Sequence, residues 1–468
     1  MSDFVLDLGY LVSAVCFIFA LKWLSDPMTA RRGVKIGEIG MVLAIIATLL
    51  SHEIVQYQWI LIALVLGSAA GIPLGLLVPM TAVPQRTALS HAFGALAVGL
   101  VGTAEFYLHE PDIGKVTMVA LGFEVLLGYL TFTGSLVAFG KLQGIARDRP
   151  WIYKGQNAVN LSILAVGLAS VGLLVADPGR SMLFPILIVV ALGFGAMLVI
   201  RIGGADMPTV ISLLNGYAGL SAAMMGFVLD NKLLIIAGAL DGSSGLLLSI
   251  IMCRAMNRSF ANVLFGGFGA TETVARMEEL PVRTTSPEET ALLLDSARLV
   301  VVVPGFGAAA AQAQHKIREL SDMLMRRGVE VRFAIHPVAG RMPGHMNVLL
   351  AEANIPYDLL VDLDAINPEL PQADVVLVVG ANDVVNPAAR HDQHSPIYGM
   401  PILDVDQARS VVVVKRSMRS GFAGIDNELF YLDKTQMLFG DAREVIGEVV
   451  DELSKLPGRA VAAAVSGI

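Results

Sequence analysis

Nine long apolar runs fill the first half of the chain, at roughly 5–23, 36–51, 57–78, 88–108, 116–140, 158–176, 181–201, 207–229 and 231–252. A helix needs about 20 mostly apolar residues to cross a bilayer. The pattern therefore predicts a multi-pass α-helical membrane bundle of nine transmembrane helices. Several of the cores, 88–108 and 116–140 among them, are rich in glycine, which lets helices pack closely in lipid. After about residue 275 the sequence reads as an ordinary soluble domain. The expected organisation is a membrane domain at 1–255, a linker at 256–285 and a second domain at 286–468.

Basic residues predict the orientation. With the N-terminus outside, the inner loops carry Lys22, Arg31, Arg32, Lys35, Arg86, Lys141, Arg147, Arg149, Lys154, Arg201, Arg254 and Arg258. The outer loops carry only Lys115, Arg180 and Lys232. That asymmetry puts the C-terminal domain in the cytoplasm. The opening residues lack a basic stretch and a cleavage site, so no removable signal peptide is expected. A formal net charge of −8 gives no reason to expect nucleic acid. Cys16 and Cys253 are isolated in apolar runs and make neither a metal site nor a disulfide framework; no metal is expected.

Polar groups at membrane depth cost energy unless paired or hydrated. His91, near the inner start of the fourth run, can gain and lose a proton near neutral pH. It reads either as a proton relay or as a packing histidine. Asn215, in the eighth run, can donate to or accept from such a histidine, or can bridge helices. Thr131, Thr133 and Ser135 lie in the fifth run, where back-bonding to their own helix is the commoner use. Glu124 lies in the outer half of that run, as a proton entry point or an interface residue. Asp206, before Pro208, either bears on coupling or caps the next helix. The candidate proton pathway is His91, Asn215, Ser135 and Asp206.

Beyond the linker, Ser286-Pro287-Glu288-Glu289 predicts a capped helix start. The pattern then alternates. Strands are expected at 299–303, 329–335, 358–361, 374–379, 410–415 and 436–439, and helices at 308–327, 343–353, 387–390 and 441–454. This predicts an α/β Rossmann-like doubly wound parallel sheet, with ligands outside the carboxyl ends of the strands. Leu299 to Val303 runs into Pro304-Gly305-Phe306-Gly307 and then a helix. That is a recipe for presenting backbone N–H groups and a helix N-terminus to a diphosphate, or simply a tight turn. Four further loops sit after strands: His336 to Gly344, Gly380 to Pro387, Lys415 to Met418 and Gly440 to Arg443. No acid ends the second strand, where an NAD site holds the ribose. Lys415-Arg416-Ser417 instead suits the 2′-phosphate of NADP. Asp383 reads as an Asx-turn carboxylate or a proton-coupling group, and His336, before Pro337, as a turn residue.

These stretches resemble the beta subunit of the proton-translocating NAD(P) transhydrogenase family. The resemblance runs the whole length and includes Thr131 to Lys141, Ile202 to Pro208, Met256 to Phe260, Phe333 to Glu352, Gly380 to Pro387, Lys415 to Met418 and Leu438 to Ala442. It implies a nine-span inner (plasma) membrane domain with proton conduction at His91 and Asn215. It implies NADP(H) bound by Gly305, Phe306, Gly307, Val338, Ala339, Gly340, Arg341, Met342, Pro343, Gly380, Ala381, Asn382, Asp383, Val384, Lys415, Arg416, Ser417, Gly421, Phe422, Gly440 and Asp441. Asp383 and Arg341 would lie nearest the chemistry or the domain interface. NAD(H) would sit on a partner alpha subunit, in an assembly with two copies of each half. Phe306 and Phe422 depart from the family's usual tyrosines and lose a phenolic hydrogen bond. The expected activity is hydride transfer from NADH to NADP⁺ coupled to inward proton flow. The alternative is a channel or transporter whose domain only senses NADP(H). A lipid-tethered dehydrogenase is a third reading, but no catalytic acid or base stands out for it.

Overall fold

The computed structural model describes residues 3–26, 29–50, 56–79, 82–146, 151–203, 206–257, 260 and 281–457. Most of the expected linker, with Gly266 to Gly269 and Glu272, lies outside them, as do Arg147, Arg149 and Arg258. The chain divides into two units, one essentially residues 1–250 and one carrying the sheet.

The first unit is helical among the described residues. Its helices are α1 (Asp3–Leu24), α2 (Ala30–Leu49), α3 (Tyr57–Leu76), α4 (Val83–His109), α5 (Lys115–Leu142), α6 (Gln156–Ala176), α7 (Leu183–Ile200), α8 (Met207–Val228) and α9 (Lys232–Ala255). Eight are long and apolar enough to cross a membrane. The exception is α2, whose first half carries Arg31, Arg32, Lys35 and Glu38.

Burial ranks the helices. Over the best apolar window, 61% of α5 and 56% of α8 are buried, against none of α3, so α5 and α8 form the middle of the unit. Close approach there depends on small residues. A Cβ at Gly195 of α7 would stand 2.0 Å from the Leu130 carbonyl oxygen of α5. Thr133 takes advantage of that proximity. Its hydroxyl donates to its own helix, at Tyr129 O (3.2 Å), and across to Leu192 O of α7 (2.8 Å).

The second unit is a six-stranded, all-parallel sheet: β1 (Leu299–Pro304), β2 (Glu330–Ile335), β3 (Leu360–Asp362), β4 (Val375–Val379), β5 (Ser410–Lys415) and β6 (Thr435–Phe439). The strand order is β3-β2-β1-β4-β5-β6, so the direction of winding reverses between β1 and β4. Unbroken β-branched runs are what a sheet covered on both faces requires. Val300 and Val302 pack under α12 (Gln314–Arg326) and α16 (Ala442–Lys455), through Ile317, Leu320, Ile446 and Leu453. Val301 and Val303 pack on Ile366, Leu370, Leu403 and Phe430.

The remaining helices are α10 (Pro287–Ser296), α11 (Phe306–Ala310), α13 (His345–Glu352), α14 (Leu363–Ile366) and α15 (Ala388–His391). At α10 the Ser286 hydroxyl accepts the Glu289 N–H at 3.1 Å, as its cap sequence requires.

One expected element is broken. A single helix over 308–327 is replaced by α11 and α12, with Gln312 between them at φ +53. The Gln312 N–H donates to Ala309 O and the Ala313 N–H to Ala308 O. That pair of bonds is a Schellman closure with a non-glycine residue in the left-handed position. Alanines at 308, 309 and 313 are buried, so tertiary packing overrides the helix propensity of the segment.

Candidate functional site

Open parallel sheets bind ligands where the strand order reverses, outside the carboxyl ends of the strands. Here that point lies above β1 and β4, and two glycine turns meet there. The Gly305 N–H donates to Val379 O and the Gly307 N–H to Gly380 O, both at 2.9 Å. A Cβ on Gly305 would come within 2.4 Å of Ala381 Cα, and one on Gly307 within 2.7 Å of Gly380 Cα. Gly380 has φ +69, and its Cβ would fall 2.4 Å from Gly307 Cα. These glycines let two backbones touch and form the floor of a cleft. Of the two readings of this turn, the amides of Gly305 and Gly307 serve the tight turn, since both are used between the turns. The helix that follows, α11, has only five residues.

Arg341, from the loop after β2, reaches the cleft over two aromatic rings. Its guanidinium carbon lies 4.3 Å from the Phe306 ring centroid and 5.5 Å from that of Phe422. The two rings are 5.6 Å apart and tilted. Phe306 and Phe422 thus hold the Arg341 cation between two apolar rings.

Two histidines shape that loop. His336 Nδ1 accepts the Val338 N–H (3.2 Å), while its Nε2 bonds Pro401 O (2.7 Å). His345 Nδ1 accepts the Arg341 N–H at 3.0 Å. Gly340, at φ +107, lies so close that a Cβ would sit 2.5 Å from this nitrogen. His336 is a loop organiser, as expected. His345 was not singled out from the sequence, where its only signal is its position four residues after Arg341. Burial pushes both imidazoles down to about 4, with the Arg341 charge adding to the effect at His345.

The sign of the linkage follows. The folded state holds these rings neutral, whereas the unfolded chain protonates them below about 6.5. Their contribution is complete above that pH and is lost as pH falls from 6.5 towards 4. A shift of this size is worth up to about 3 kcal/mol per ring. Thermal unfolding of the complex should therefore move to lower temperature between about pH 7 and about pH 5. His345→Gln should remove part of that slope; superposable wild-type curves would contradict the neutral, buried state of these rings.

The loop after β4 is tied to the one after β5. Asp383 Oδ2 accepts the Ala423 N–H at 3.0 Å, and a Cβ at Gly421 would lie 2.5 Å from Asp383 Oδ1. Burial raises the Asp383 carboxyl, opposed by that N–H and by the charge of Lys415. Asn427 Nδ2 donates to both Asn382 O and Asn382 Oδ1, each at 3.0 Å. The Asn382 Nδ2 has no partner among the described residues.

Lys415, Arg416 and Ser417 divide their roles. The Lys415 ammonium turns inward, donating to Arg419 O at 2.6 Å and lying 4.6 Å from the Phe430 ring centroid. Burial pushes it down to about 8. Arg416 and Ser417 are exposed. Other predicted residues support the walls. Ala339, Ala381 and Val384 are buried in the two cores, and Val338, Met342 and Pro343 are half-buried. The Asp441 carboxylate is engaged as the N-cap of α16, accepting the Arg443 N–H at 3.1 Å. Gly440 packs on Val445.

In the helical unit, Asn215 does not stand alone. Its Nδ2 donates to Asp241 Oδ1 of α9 at 3.1 Å. Asp241 also interacts electrostatically with His91 of α4. The His91 Nδ1 is buried and has no hydrogen-bond partner among the described residues. Three helices thus bring together a histidine, an amide and a carboxylate, and the carboxylate was overlooked in the sequence. Ser135 (1% exposed) is buried in α5, next to Gly134, which touches Leu214. Asp206 occupies the N-cap position of α8 but accepts no capping bond, so the capping role does not hold. Glu124, in α5, is fully buried, and its backbone carbonyl accepts the Ser221 hydroxyl at 2.8 Å.

The comparisons with known proteins agree with one another. The family described as "NAD(P) transhydrogenase beta subunit" matches residues 6–452. A curated protein of Rhodospirillum rubrum, "NAD(P) transhydrogenase subunit beta", is 47% identical over 457 residues, covering 95% of this chain and 98% of that protein. A second curated protein of that name, from a specified strain of the same organism, matches to the same extent.

Proposed function

The chain belongs to the NAD(P) transhydrogenase beta-subunit family, and from that premise we propose that it couples hydride transfer to proton movement across a membrane. In this reading NADP(H) binds at the strand ends of the sheet unit and NAD(H) on a partner alpha subunit. Nine helices, α2 included, cross the inner membrane with the N-terminus outside and the sheet unit cytoplasmic. Two alpha–beta pairs make the assembly, and protons flow inward as NADPH forms.

The residues present fit NADP(H). Gly305, Gly307 and Gly380 bring the two turns into backbone contact, where any Cβ would strike the opposite turn, and the buried Asn382 Nδ2 is a donor with no partner among the described residues. Arg416 and Ser417 stand exposed to hold the 2′-phosphate, which Lys415 supports from beneath. Arg341, held between Phe306 and Phe422, is placed for a second anionic group. Asp383 acts as a positioning residue that pins the 421–423 backbone over the site. Bound NADP(H) supplies the hydride acceptor or donor, so the protein needs no nucleophile of its own. Its residues hold the nucleotide, keep water out and link occupancy of the site to the membrane relay.

The observation that carries this reading is the cationic, glycine-floored cleft at the reversal of the sheet, with no carboxylate at the end of β2. Removing one charge-assisted phosphate contact costs about 1.5–3 kcal/mol, which is roughly a tenfold to hundredfold change in Kd. Arg416→Ala should weaken NADPH binding by that factor and narrow the preference for NADPH over NADH, as read by fluorescence titration of the complex. An unchanged Kd would remove Arg416 from the site. The activity is tested in vesicles bearing the complete complex: NADPH formation from NADH should accelerate under an inward proton gradient. Binding of NADP(H) without any hydride transfer would leave a nucleotide-sensing channel instead.

A further inference from the structure

Asp241 lies midway along α9, a helix whose other charged residues, Lys232 and Arg254, are at its ends. A carboxylate near the centre of a bilayer span costs several kcal/mol unless it is paired, hydrated or protonated. One group bonds it directly, the Asn215 amide of α8 at 3.1 Å, and the His91 ring of α4 is near enough to act on it through charge. Glycine makes the meeting possible. A Cβ at Gly219 of α8 would stand 2.2 Å from Gly242 N of α9, and one at Gly245 would stand 2.9 Å from Asn215 Nδ2. Asp241 also lies at the surface of the helical unit. Among the described residues the other charges associated with α9 sit at its ends, Lys232 paired with Asp7 of α1 (3.0 Å) at one and Arg254 at the other.

We propose that Asp241 is a proton-carrying group of the membrane relay, exchanging a proton with His91 while the Asn215 amide holds its carboxylate in place. The step is a simple transfer: the imidazolium loses its proton, the carboxylate gains it, and no other bond changes. The inference rests on the proton-coupling reading above and adds a second titrating side chain to it.

The test uses the complete complex in vesicles, with proton uptake and NADPH formation measured across pH. Asp241→Asn keeps the shape and an acceptor for Asn215 but cannot carry a proton at neutral pH. It should lower gradient-coupled turnover about tenfold or more. It should also move the pH of half-maximal translocation down by about one unit, because an anion beside the imidazolium is gone. NADPH binding should be unchanged, which separates a relay from a folding defect. Asp241→Glu should recover most of the coupled rate. As a second readout, the protonated-carboxyl band that appears in the infrared difference spectrum on acidification should shift in Asp241→Glu. A wild-type rate and pH profile in Asp241→Asn, with His91→Ala inactive, would overturn this proposal and leave the broader reading standing. An unmoved infrared band would overturn it as well. Intact translocation in both variants would remove the broader reading and this one together.

Discussion

Gly380→Ala is expected to abolish NADP(H) binding and to destabilise the sheet unit by about 2–5 kcal/mol, the sum of a left-handed backbone penalty and an overpacking penalty. Gly380 has φ +69, which a residue with a Cβ adopts only at a cost. The new methyl would also meet Gly307 Cα at 2.4 Å and Ala308 N at 2.5 Å. Those atoms are backbone and cannot rotate away, so the two turns must separate and the floor of the cleft opens. Gly328 supplies the control. It has φ +80 but open space around it, so Gly328→Ala should cost only the conformational part, about 1–2 kcal/mol, and leave binding intact. Thermal unfolding of the complex and NADPH titration of both variants decide the point. Equal effects at the two positions would mean that the contact between the turns contributes nothing.

His91→Ala should lower coupled proton translocation by about a hundredfold or more, the usual scale for losing a positioned proton-transfer group. The prediction rests on the arrangement around the ring. His91 Nδ1 is buried without a hydrogen-bond partner among the described residues, whereas a packing histidine has its nitrogens satisfied. Its charge partner is Asp241, itself held by Asn215. NADPH binding to the sheet unit should persist, since none of the cleft residues belongs to α4. Uptake of protons at the wild-type rate in His91→Ala vesicles would reduce the histidine to a packing role.

Some of this organisation was legible in the residues and some was not. The strands were readable because a sheet covered on both faces demands unbroken apolar runs, and Val300 to Val303 and Val375 to Val379 supply them. The capped start of α10 was readable because a serine oxygen and an amide three residues on make a local bond. The break at Gln312 was not, since alanine-rich sequence favours one continuous helix and only the burial of Ala308, Ala309 and Ala313 splits it. Lys415 and Arg416 look alike in sequence, yet one side chain turns under the sheet end and the other faces out. Asp441 reads as a cleft residue, and its carboxylate also caps the helix that begins beside it. Asp241 drew no notice because nothing within its own helix explains it; its partners lie on α4 and α8.

By itself, the sequence determined the kind of each segment: which stretches are apolar enough for lipid, which belong in a parallel sheet, where glycine punctuates them, and to which family they are similar. Only the tertiary structure decided partnership: the two glycine turns in contact, Arg341 between two phenylalanines, His91 and Asn215 gathered around Asp241. The reason is range. Burial and helical or strand periodicity leave a pattern along the chain, whereas a hydrogen bond or a charge pair acts over a few ångströms between residues far apart in sequence, and no local pattern records which two will meet.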